Sequence, residues 1–324
     1  MALPATASPQ FQIISDLHLE TPLSEPAYTY FSQPSNFPLE ADNLLLLGDI
    51  GLIADTAPLL TFLRSLLRRN PRLRLFYVPG NHEFYRMTLE TSTAKMQTWE
   101  TTLTNEFGPR FHVMNRTRID ISPTLTLLGC TLWSHVPTPA QPEVAAALKD
   151  FDEKHGIWDR SVLDHNANHL VDLGWLNNTI SSIESEEPDR EVLVLTHHSP
   201  TTDARANSKR FPPERVMNSA FRTDLSAEPC WMSPNVKVWA FGHTHFSCQF
   251  VASTGDGGQK KLVVSNQKGY AYEGGKGTWE VKPVVVGKES GVWEVVVGAK
   301  ESVEETEGTS EGIKISVRGA MSGS

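Results

Sequence analysis

Five short segments of the chain carry metal-binding side chains directly after runs of apolar or β-branched residues. The runs are FQII, NLLLLG, LRLFYV, EVLVL and VKVWAF, and each is typical of a buried β-strand. The side chains that follow these runs are Asp16, His18, Asp49, Asn81, His197, His243 and His245. Every candidate ligand therefore lies at the carboxyl end of a predicted strand. Five strand ends of this kind predict a fold built on β-sheet, with one shared cleft at the strand ends.

The spacing within the segments indicates how the side chains are presented. In an extended chain, residues i and i+2 point to the same side, so we expect Asp16 and His18 to offer two donors to one face. The same holds for His243 and His245. Glycine comes directly before three of the segments, where the absence of Cβ permits a sharp turn and a close backbone approach to an ion. These glycines are Gly48, Gly80 and Gly242.

The candidate donors are carboxylate, amide and imidazole groups, and no cysteine lies in any of the five segments. Such ligands suit divalent or trivalent ions of Mn, Fe or Zn in an open site better than a closed structural zinc. Seven donors are too many for one tetrahedral ion, but they suit two ions that share a carboxylate and leave positions for water and substrate. Asp49, which is alone in its segment, is the expected bridge.

In this order, the five segments resemble the calcineurin-like metallophosphoesterases. The pattern of that family is DxH, GD, GNH followed by Asp or Glu, a later His, and GHxH, and it is matched from Asp16 to His245. The resemblance implies an α/β fold of four layers, in which a central β-sandwich is flanked by α-helices. It also implies a first metal site made by Asp16, His18, Asp49 and His245. The implied second site is made by Asp49, Asn81, His197 and His243.

The same resemblance implies hydrolysis of phosphate esters. In that family a hydroxide held between the metals attacks phosphorus in line, so Asp49 is expected to be catalytic as well as a ligand. His82 of the GNH motif is expected to stabilise the transition state or to protonate the leaving group. We expect a small-molecule phosphodiesterase, because the motifs are similar to those of cyclic-nucleotide and glycerophosphodiester hydrolases.

Other activities remain open: a phosphomonoesterase or nucleotide pyrophosphatase, a nuclease, and a non-catalytic scaffold with this fold. A scaffold is expected to lose ligands or His82, and this chain has them all. Protein phosphatases of the superfamily carry Arg before GNHE and DRG after GD, whereas this chain has Val78-Pro79 and GDIGLIA. The net charge of −9 argues against a nucleic-acid partner, since phosphate backbones are bound by clustered Lys and Arg.

Three further residues are hypothesised to border the substrate. Because neighbours on a strand point to opposite faces, only one of His197 and His198 is expected to bind metal. The family pattern favours His197, which leaves His198 beside the substrate pocket. Phe151 and His165 belong to a loop and helix start that are similar to those of some relatives, although a structural or surface role competes for both. The element SNQKGY, residues 265–270, is expected to give structural support.

Composition favours one catalytic domain, residues 1–280, followed by an acidic tail rich in Gly, Ser and Val, residues 281–324. With 324 residues and 39% hydrophobic content, the chain is long enough for a large core. In the tail, Val284–Val286, Val292–Val297 and Ile313–Val317 have strand propensity. They could add edge strands, but the Glu, Gly and Ser residues between them favour weakly ordered linkers.

Helices are predicted at about residues 55–69, 88–107 and 161–184, and strands at FHVM, RIDI and LTLLGC. No stretch approaches the roughly 18 apolar residues of a membrane span, so no membrane partner is expected. The three cysteines show no paired spacing, which favours a cytoplasmic location. No motif indicates an oligomeric state.

Overall fold

A computed structural model describes residues 8–22, 24–254, 258–270 and 281–298 of the protein. The strands in these ranges are β1 (Phe11–Ile14), β2 (Asn43–Leu47), β3 (Arg74–Val78), β4 (Phe111–Val113), β5 (Thr117–Ser122), β6 (Leu125–Cys130), β7 (Glu191–Thr196), β8 (Val236–Ala240), β9 (Cys248–Thr254), β10 (Gln259–Ser265), β11 (Val284–Glu289) and β12 (Val292–Val297). They form two six-stranded sheets, with the orders β12-β11-β1-β2-β3-β4 and β5-β6-β7-β8-β10-β9.

The helices in the same ranges agree closely with the apolar periodicity of the sequence. They are α1 (Tyr28–Phe31), α2 (Thr56–Arg69), α3 (Leu89–Phe107), α4 (Gln141–Ala147), α5 (Val162–Glu186) and α6 (Pro229–Met232). Helix α5 begins at a capping box, in which Ser161 accepts from the backbone of Asp164 and the Asp164 carboxylate accepts from the backbone of Ser161. The three predicted helices are confirmed within two residues at each end. No helix in the described ranges is long and apolar enough to cross a membrane.

Alternate residues of the inner strands pack on opposite sides of their sheet, which produces four layers. In β2, Leu44 and Leu46 pack with the leucines of α2, whereas Leu45 and Leu47 join the core between the two sheets. Strand β7 alternates in the same way between the core between the sheets and the face that packs on α5. Because both sheets bury both faces, their strands are continuous apolar runs. The predicted class, a β-sandwich flanked by helices, is confirmed.

Residues 284–297 form two strands, which is the alternative that their strand propensity left open beside a weakly ordered tail. Strand β11 pairs antiparallel with β1, with Val286 opposite Phe11, and β12 pairs with β11. The physical reason is that Val286, Trp293 and Val295 fall on one side of this hairpin and are buried in the core between the sheets. The third apolar stretch of the tail, Ile313–Val317, lies outside the described residues. The domain boundary at residue 280 stays a prediction.

Each sheet places the carboxyl ends of its parallel strands along one edge. Strands β1, β2 and β3 run parallel in the first sheet, and β7 and β8 run parallel in the second. Each of these five strands is followed directly by one of the candidate ligand segments. The fold therefore brings ligands from both sheets to one end of the sandwich.

Candidate metal centre

The seven predicted metal donors come together where the five strands end. In one group, the donor atoms lie within 4.8 Å of one another, and its members are Asp16, His18 and His245. A second group meets the same limit, and its members are Asp49, His197 and His243. Asn81 adjoins the second group, because its Oδ1 lies 3.1 Å from Nε2 of His197. Each group combines residues from both sheets.

Asp49 lies between the two groups and directs one carboxylate oxygen to each. Its Oδ1 is 3.3 Å from Nε2 of His197, in the second group. Its Oδ2 is 3.9 Å from Nε2 of His18, in the first. Burial opposes ionisation of Asp49, but His197 and His82 outweigh it and hold the pKa of this carboxyl well below its usual range. A buried, ionised carboxylate in this position suits a ligand shared by two cations.

The paired ligands were expected to lie in extended backbone, but they do not. Asp16 and His18 have φ values of 54° and 47°, and His243 and His245 have 70° and 52°. The first pair still shares a group, but the expectation is wrong for His243 and His245, which belong to different groups. Left-handed residues turn the chain, so the alternation of an extended strand does not apply. Such backbone strain in residues other than glycine concentrates at functional sites.

Two of the predicted glycines make room for the donors. Gly48 has φ of +85°, and a Cβ there would lie 2.3 Å from Nδ1 of His197. A Cβ on Gly80 would lie 2.3 Å from Oδ1 of Asp49. These distances are too short for any side chain, so both positions require glycine beside the donors.

Hydrogen bonds orient two of the donors for a cation. His197 Nδ1 lies 2.8 Å from the carbonyl of Leu47 and must donate to it, which leaves Nε2 as the nitrogen that faces the second group. Asn81 Nδ2 donates to Asp150 at 2.8 Å and to the Tyr85 hydroxyl at 3.1 Å, which directs Oδ1 to the second group. Carboxylate and amide oxygens and imidazole nitrogens thus converge with their acceptor atoms inward. This donor set fits a pair of metal ions.

Glu83 joins the loops that follow β2 and β3. Its buried carboxylate accepts hydrogen bonds from the backbone N–H of Asp49, Ile50 and Gly80 and from the hydroxyl of Tyr77, at 2.6–2.8 Å. Burial and the nearby Asp49 raise the pKa of Glu83 to about 7. In the sequence this residue was visible only as the acidic position after GNH, and its contacts across the chain were not.

His82 is held by two side chains that the sequence did not assign to the site. Its Nδ1 lies 2.9 Å from Oε1 of Glu20, and its Nε2 lies 3.0 Å from the hydroxyl of Tyr270. Burial lowers the pKa of His82, but Asp49 and Glu20 outweigh it and raise this pKa above its usual value. Tyr270 also stacks on His18, with ring centroids 4.3 Å apart. Tyr270 is thus part of the site, whereas SNQKGY was expected to give only structural support.

The three residues hypothesised to border the substrate also lie together. The ring of His198 is 4.0 Å from that of His243, and the ring of His165 is 5.8 Å from that of His198. Phe151 follows, with its centroid 6.0 Å from His165. Burial lowers the pKa of His165 and of His198 well below the usual value, so both rings are neutral. Their contact with substrate remains a prediction.

A sequence model described as calcineurin-like phosphoesterase matches residues 10–247. The uncharacterized protein L509 of Acanthamoeba polyphaga mimivirus is 25% identical over 277 residues, which span 80% of this chain and 91% of that protein. Phosphopantetheinyl hydrolase (PptH) from Mycobacterium tuberculosis shares the fold, with a TM-score of 0.56 at 17% identity over 82% of this chain and 91% of its own. A dimetal phosphatase from Danio rerio has a TM-score of 0.48 at 13% identity over 91% of this chain and all of its own. Because the family match covers most of the chain and includes all seven donor positions, the protein belongs to the calcineurin-like phosphoesterase family, which depends on two metal ions.

Proposed function

We propose that the protein is a hydrolase of small-molecule phosphodiesters that works with two metal ions. The proposed ligands of these ions are Asp16, His18, Asp49, Asn81, His197, His243 and His245. One observation carries the proposal: the two oxygens of Asp49 face different donor groups, at 3.3 Å from His197 and 3.9 Å from His18. A carboxylate placed in this way is the bridge that a two-metal site requires.

The residues of the chain have separate tasks in this proposal. When bound, two such ions activate water and neutralise charge on the phosphoryl oxygens. His82 supplies a proton to the leaving group. The Glu20 carboxylate accepts from Nδ1 of His82, which stabilises the protonated ring and fixes its plane. The other ring nitrogen lies 3.0 Å from the hydroxyl of Tyr270, and a leaving group would take the place of that hydroxyl.

The choice of a diester rests on the similarity of the motifs to those of cyclic-nucleotide and glycerophosphodiester hydrolases. The net charge of −9 weighs against a nuclease, because nucleic-acid binding draws on clustered positive charge. Cleavage of oligonucleotides at low salt that weakens steeply as salt is added would replace the proposal with a nuclease.

The test compares hydrolysis of bis-p-nitrophenyl phosphate with that of p-nitrophenyl phosphate, with Mn²⁺, Zn²⁺ or a chelator. We expect metal-dependent cleavage of the diester, lost in Asp49→Ala together with bound metal, and retained in Asp189→Ala, which changes an exposed aspartate. Preference for the monoester would assign a phosphatase instead. Silence on both substrates with two metals bound would contradict a hydrolase of simple esters.

A further inference from the structure

A buried cluster of polar side chains adjoins the second donor group and lies outside the proposed ligands. Its members are Asp150, Arg160, His165 and His198, around the indole of Trp133. Within the described ranges, several of its buried polar atoms have no hydrogen-bond partner. These atoms are Asp150 Oδ2, Arg160 Nε and Nη2, His165 Nδ1, and both ring nitrogens of His198. Buried polar atoms are nearly always paired, so such a concentration indicates a place for a polar ligand.

Arg160 contributes the most specific part of this cluster. Nε and Nη2 lie on one edge of the guanidinium, and this edge is the fork that binds a carboxylate or phosphate through two parallel hydrogen bonds. Three carboxylates act on Arg160, those of Asp150, Asp164 and Asp172, but no described residue forms an ion pair with it. Desolvation with no such partner is costly for a charged group. The described residues therefore supply no anion that fills this fork.

The nearby carboxylates are occupied elsewhere. Asp172 pairs with Arg116 at 2.6 Å and accepts from the backbone of Leu132 at 2.9 Å. Asp164 is held in the cap of α5 by Ser161. Asp150 uses one oxygen for Asn81. These contacts hold the three carboxylates in place, and Oδ2 of Asp150 is left without a partner among the described residues, like the guanidinium edge.

A strained turn at the end of β6 provides a rigid support for Arg160. Leu132 and Trp133 have φ values of 68° and 37°, a conformation that costs energy in residues other than glycine. His169 Nδ1 donates to both of their carbonyls at 3.0 Å and holds the turn. The guanidinium carbon of Arg160 lies 3.9 Å from the centroid of Trp133, which fixes its plane by cation–π contact.

The cluster extends away from the metal donors. Contacts run from His243 to His198 at 4.0 Å, from His198 to Trp133 at 5.4 Å, and from Trp133 to Arg160 at 3.9 Å. The guanidinium is thus joined to the second donor group through the rings of Trp133 and His198. We propose that the Nε–Nη2 edge of Arg160 binds a second oxyanion of the substrate, a carboxylate or a phosphate, in addition to the ester phosphate at the metal centre. This inference rests on the proposed function and narrows its substrates to phosphoesters that carry another acidic group.

The test measures binding by calorimetry to the metal-loaded protein, with probes that cannot be hydrolysed. The probes are alkylphosphonates of two to five carbons, the ω-carboxyalkylphosphonates of the same lengths, and the corresponding diphosphonates. In the wild type we expect at least one diacid to bind about tenfold more tightly than its matched monoacid, as two charge-assisted hydrogen bonds imply. The carboxylate and phosphonate arms tell which oxyanion is preferred.

Variants of Arg160 assign the preference. Arg160→Met should reduce the ratio of monoacid to diacid Kd to about one and leave the monoacid Kd unchanged. Arg160→Lys should keep only part of the ratio, because an ammonium lacks the fork. The matched control is Arg205→Met, since Arg205 also stacks on an aromatic ring, Phe250 at 4.2 Å, but pairs with Asp203 at 2.6 Å. A ratio near one throughout the wild-type series, or a ratio that Arg160→Met preserves, would overturn the oxyanion site.

Thermal unfolding separates this binding role from a structural one. Arg160→Met removes a charge whose buried nitrogens have no described partner, so its Tm should equal or exceed that of the wild type. A lower Tm with an unchanged Kd ratio would assign Arg160 to structure only. Hydrolysis of esters with a ratio near one would remove the oxyanion site and keep the proposed function. A Kd ratio that depends on Arg160, without hydrolysis of esters, would keep the oxyanion site and remove the proposed function.

Discussion

A histidine that transfers protons needs a second group to fix its ring, and in the proposed function Glu20 does this for His82. The carboxylate is 3% exposed and lies 2.9 Å from Nδ1 of His82. Burial disfavours its charge, yet His18, whose Nδ1 lies 3.6 Å from Oε1, and the hydrogen bond from His82 lower the pKa of Glu20 to about 2. Glu20 therefore remains an anion at any pH at which the site can work, and it acts as a positioning residue.

Glu20→Gln should lower kcat about ten- to a hundredfold, because the amide still accepts from Nδ1 but cannot stabilise a charged ring. Metal content should be unchanged. Added to His82→Ala, the same change should have little further effect, since both act on one step. Steady-state kinetics with metal analysis measures this, and Glu25→Gln is the control on an exposed position nearby. Fully additive losses, or loss of metal, would contradict the role of Glu20.

Lys261 gives the protein a dependence of stability on pH that lies apart from the metal centre. The residue is 2% exposed, donates to the carbonyl of Trp231, and has a pKa that burial lowers to about 8. Below pH 8 it is protonated in both the folded and unfolded states, so the cost of its buried charge is complete. Between pH 8 and about 10.4 only the unfolded state keeps the proton, so stability rises with pH.

Relative to Lys261→Met, the free energy of unfolding of the wild type should therefore increase by on the order of 3 kcal/mol from pH 8 to pH 10.4. The gain should disappear again as the pH falls back through 8. Denaturant titrations at several pH values measure it. Lys260→Met, at the exposed neighbouring position, should show no such slope relative to the wild type. If the difference in free energy of unfolding between the wild type and Lys261→Met did not change with pH, the lowered pKa of Lys261 would be refuted.

The donor residues could be predicted from the sequence, but their partners could not. Asp49 and His243 carry their chemistry in their residue type and follow apolar runs, which are local signals. Glu20 and Asp150 are ordinary acidic residues until the fold brings each to a partner, at separations of 62 residues from His82 and 69 from Asn81. No local sequence pattern points to Arg160, because the feature that distinguishes it is that two of its nitrogens have no hydrogen-bond partner among the described residues.

At the scale of secondary structure elements, the strands and helices were predictable and the turns between them were not. Helices α2, α3 and α5 follow apolar periodicity, and α3 and α5 begin at the capping residues Thr88 and Ser161. The left-handed backbone at Asp16, His18 and Asp49 has no such basis, because these residue types do not demand it. It is imposed by contacts between distant loops, such as those that Glu83 makes.

Two glycine substitutions compare a turn that distant contacts impose with a helix that the local sequence predicts. Gly48→Ala should lower the free energy of unfolding by about 2 kcal/mol or more, because φ is +85° and the new Cβ would lie 2.3 Å from His197. Gly174→Ala, in the middle of α5 with no atom within 4 Å of the added Cβ, should raise it by up to about 1 kcal/mol. Denaturant unfolding of both variants checks the contrast. Equal changes in the two would contradict it, and bound metal should fall only in Gly48→Ala.

At the scale of the whole molecule, the last described hairpin belongs to the sandwich. Strand β11 covers an edge of β1, the strand that leads to Asp16 and His18. The family match ends at residue 247 and composition placed a boundary at 280, although strand propensity had left edge strands from this segment open. Average composition does not reveal these strands, because the acidic and glycine residues between them outnumber the few valines that become buried.

Truncation tests the contribution of this hairpin. A chain that ends at Pro283 lacks β11 and β12, exposes the edge of β1 and leaves Phe11 without the packing of Trp293. Its unfolding temperature and its metal content should both fall well below those of a chain that ends at Gly298. Circular dichroism and metal analysis measure the two quantities. Equal unfolding temperatures for the two chains would show that the hairpin is dispensable.

Both donor groups draw on both sheets: Asp16 and His18 lie opposite His245, and Asp49 lies opposite His197 and His243. Ions bound there would join the two sheets of the sandwich at two points. Their binding free energy then adds to the cohesion of the sheets and grows with the logarithm of free metal concentration. A cell that starves the protein of metal would thus loosen its architecture at the same time as it silences its chemistry.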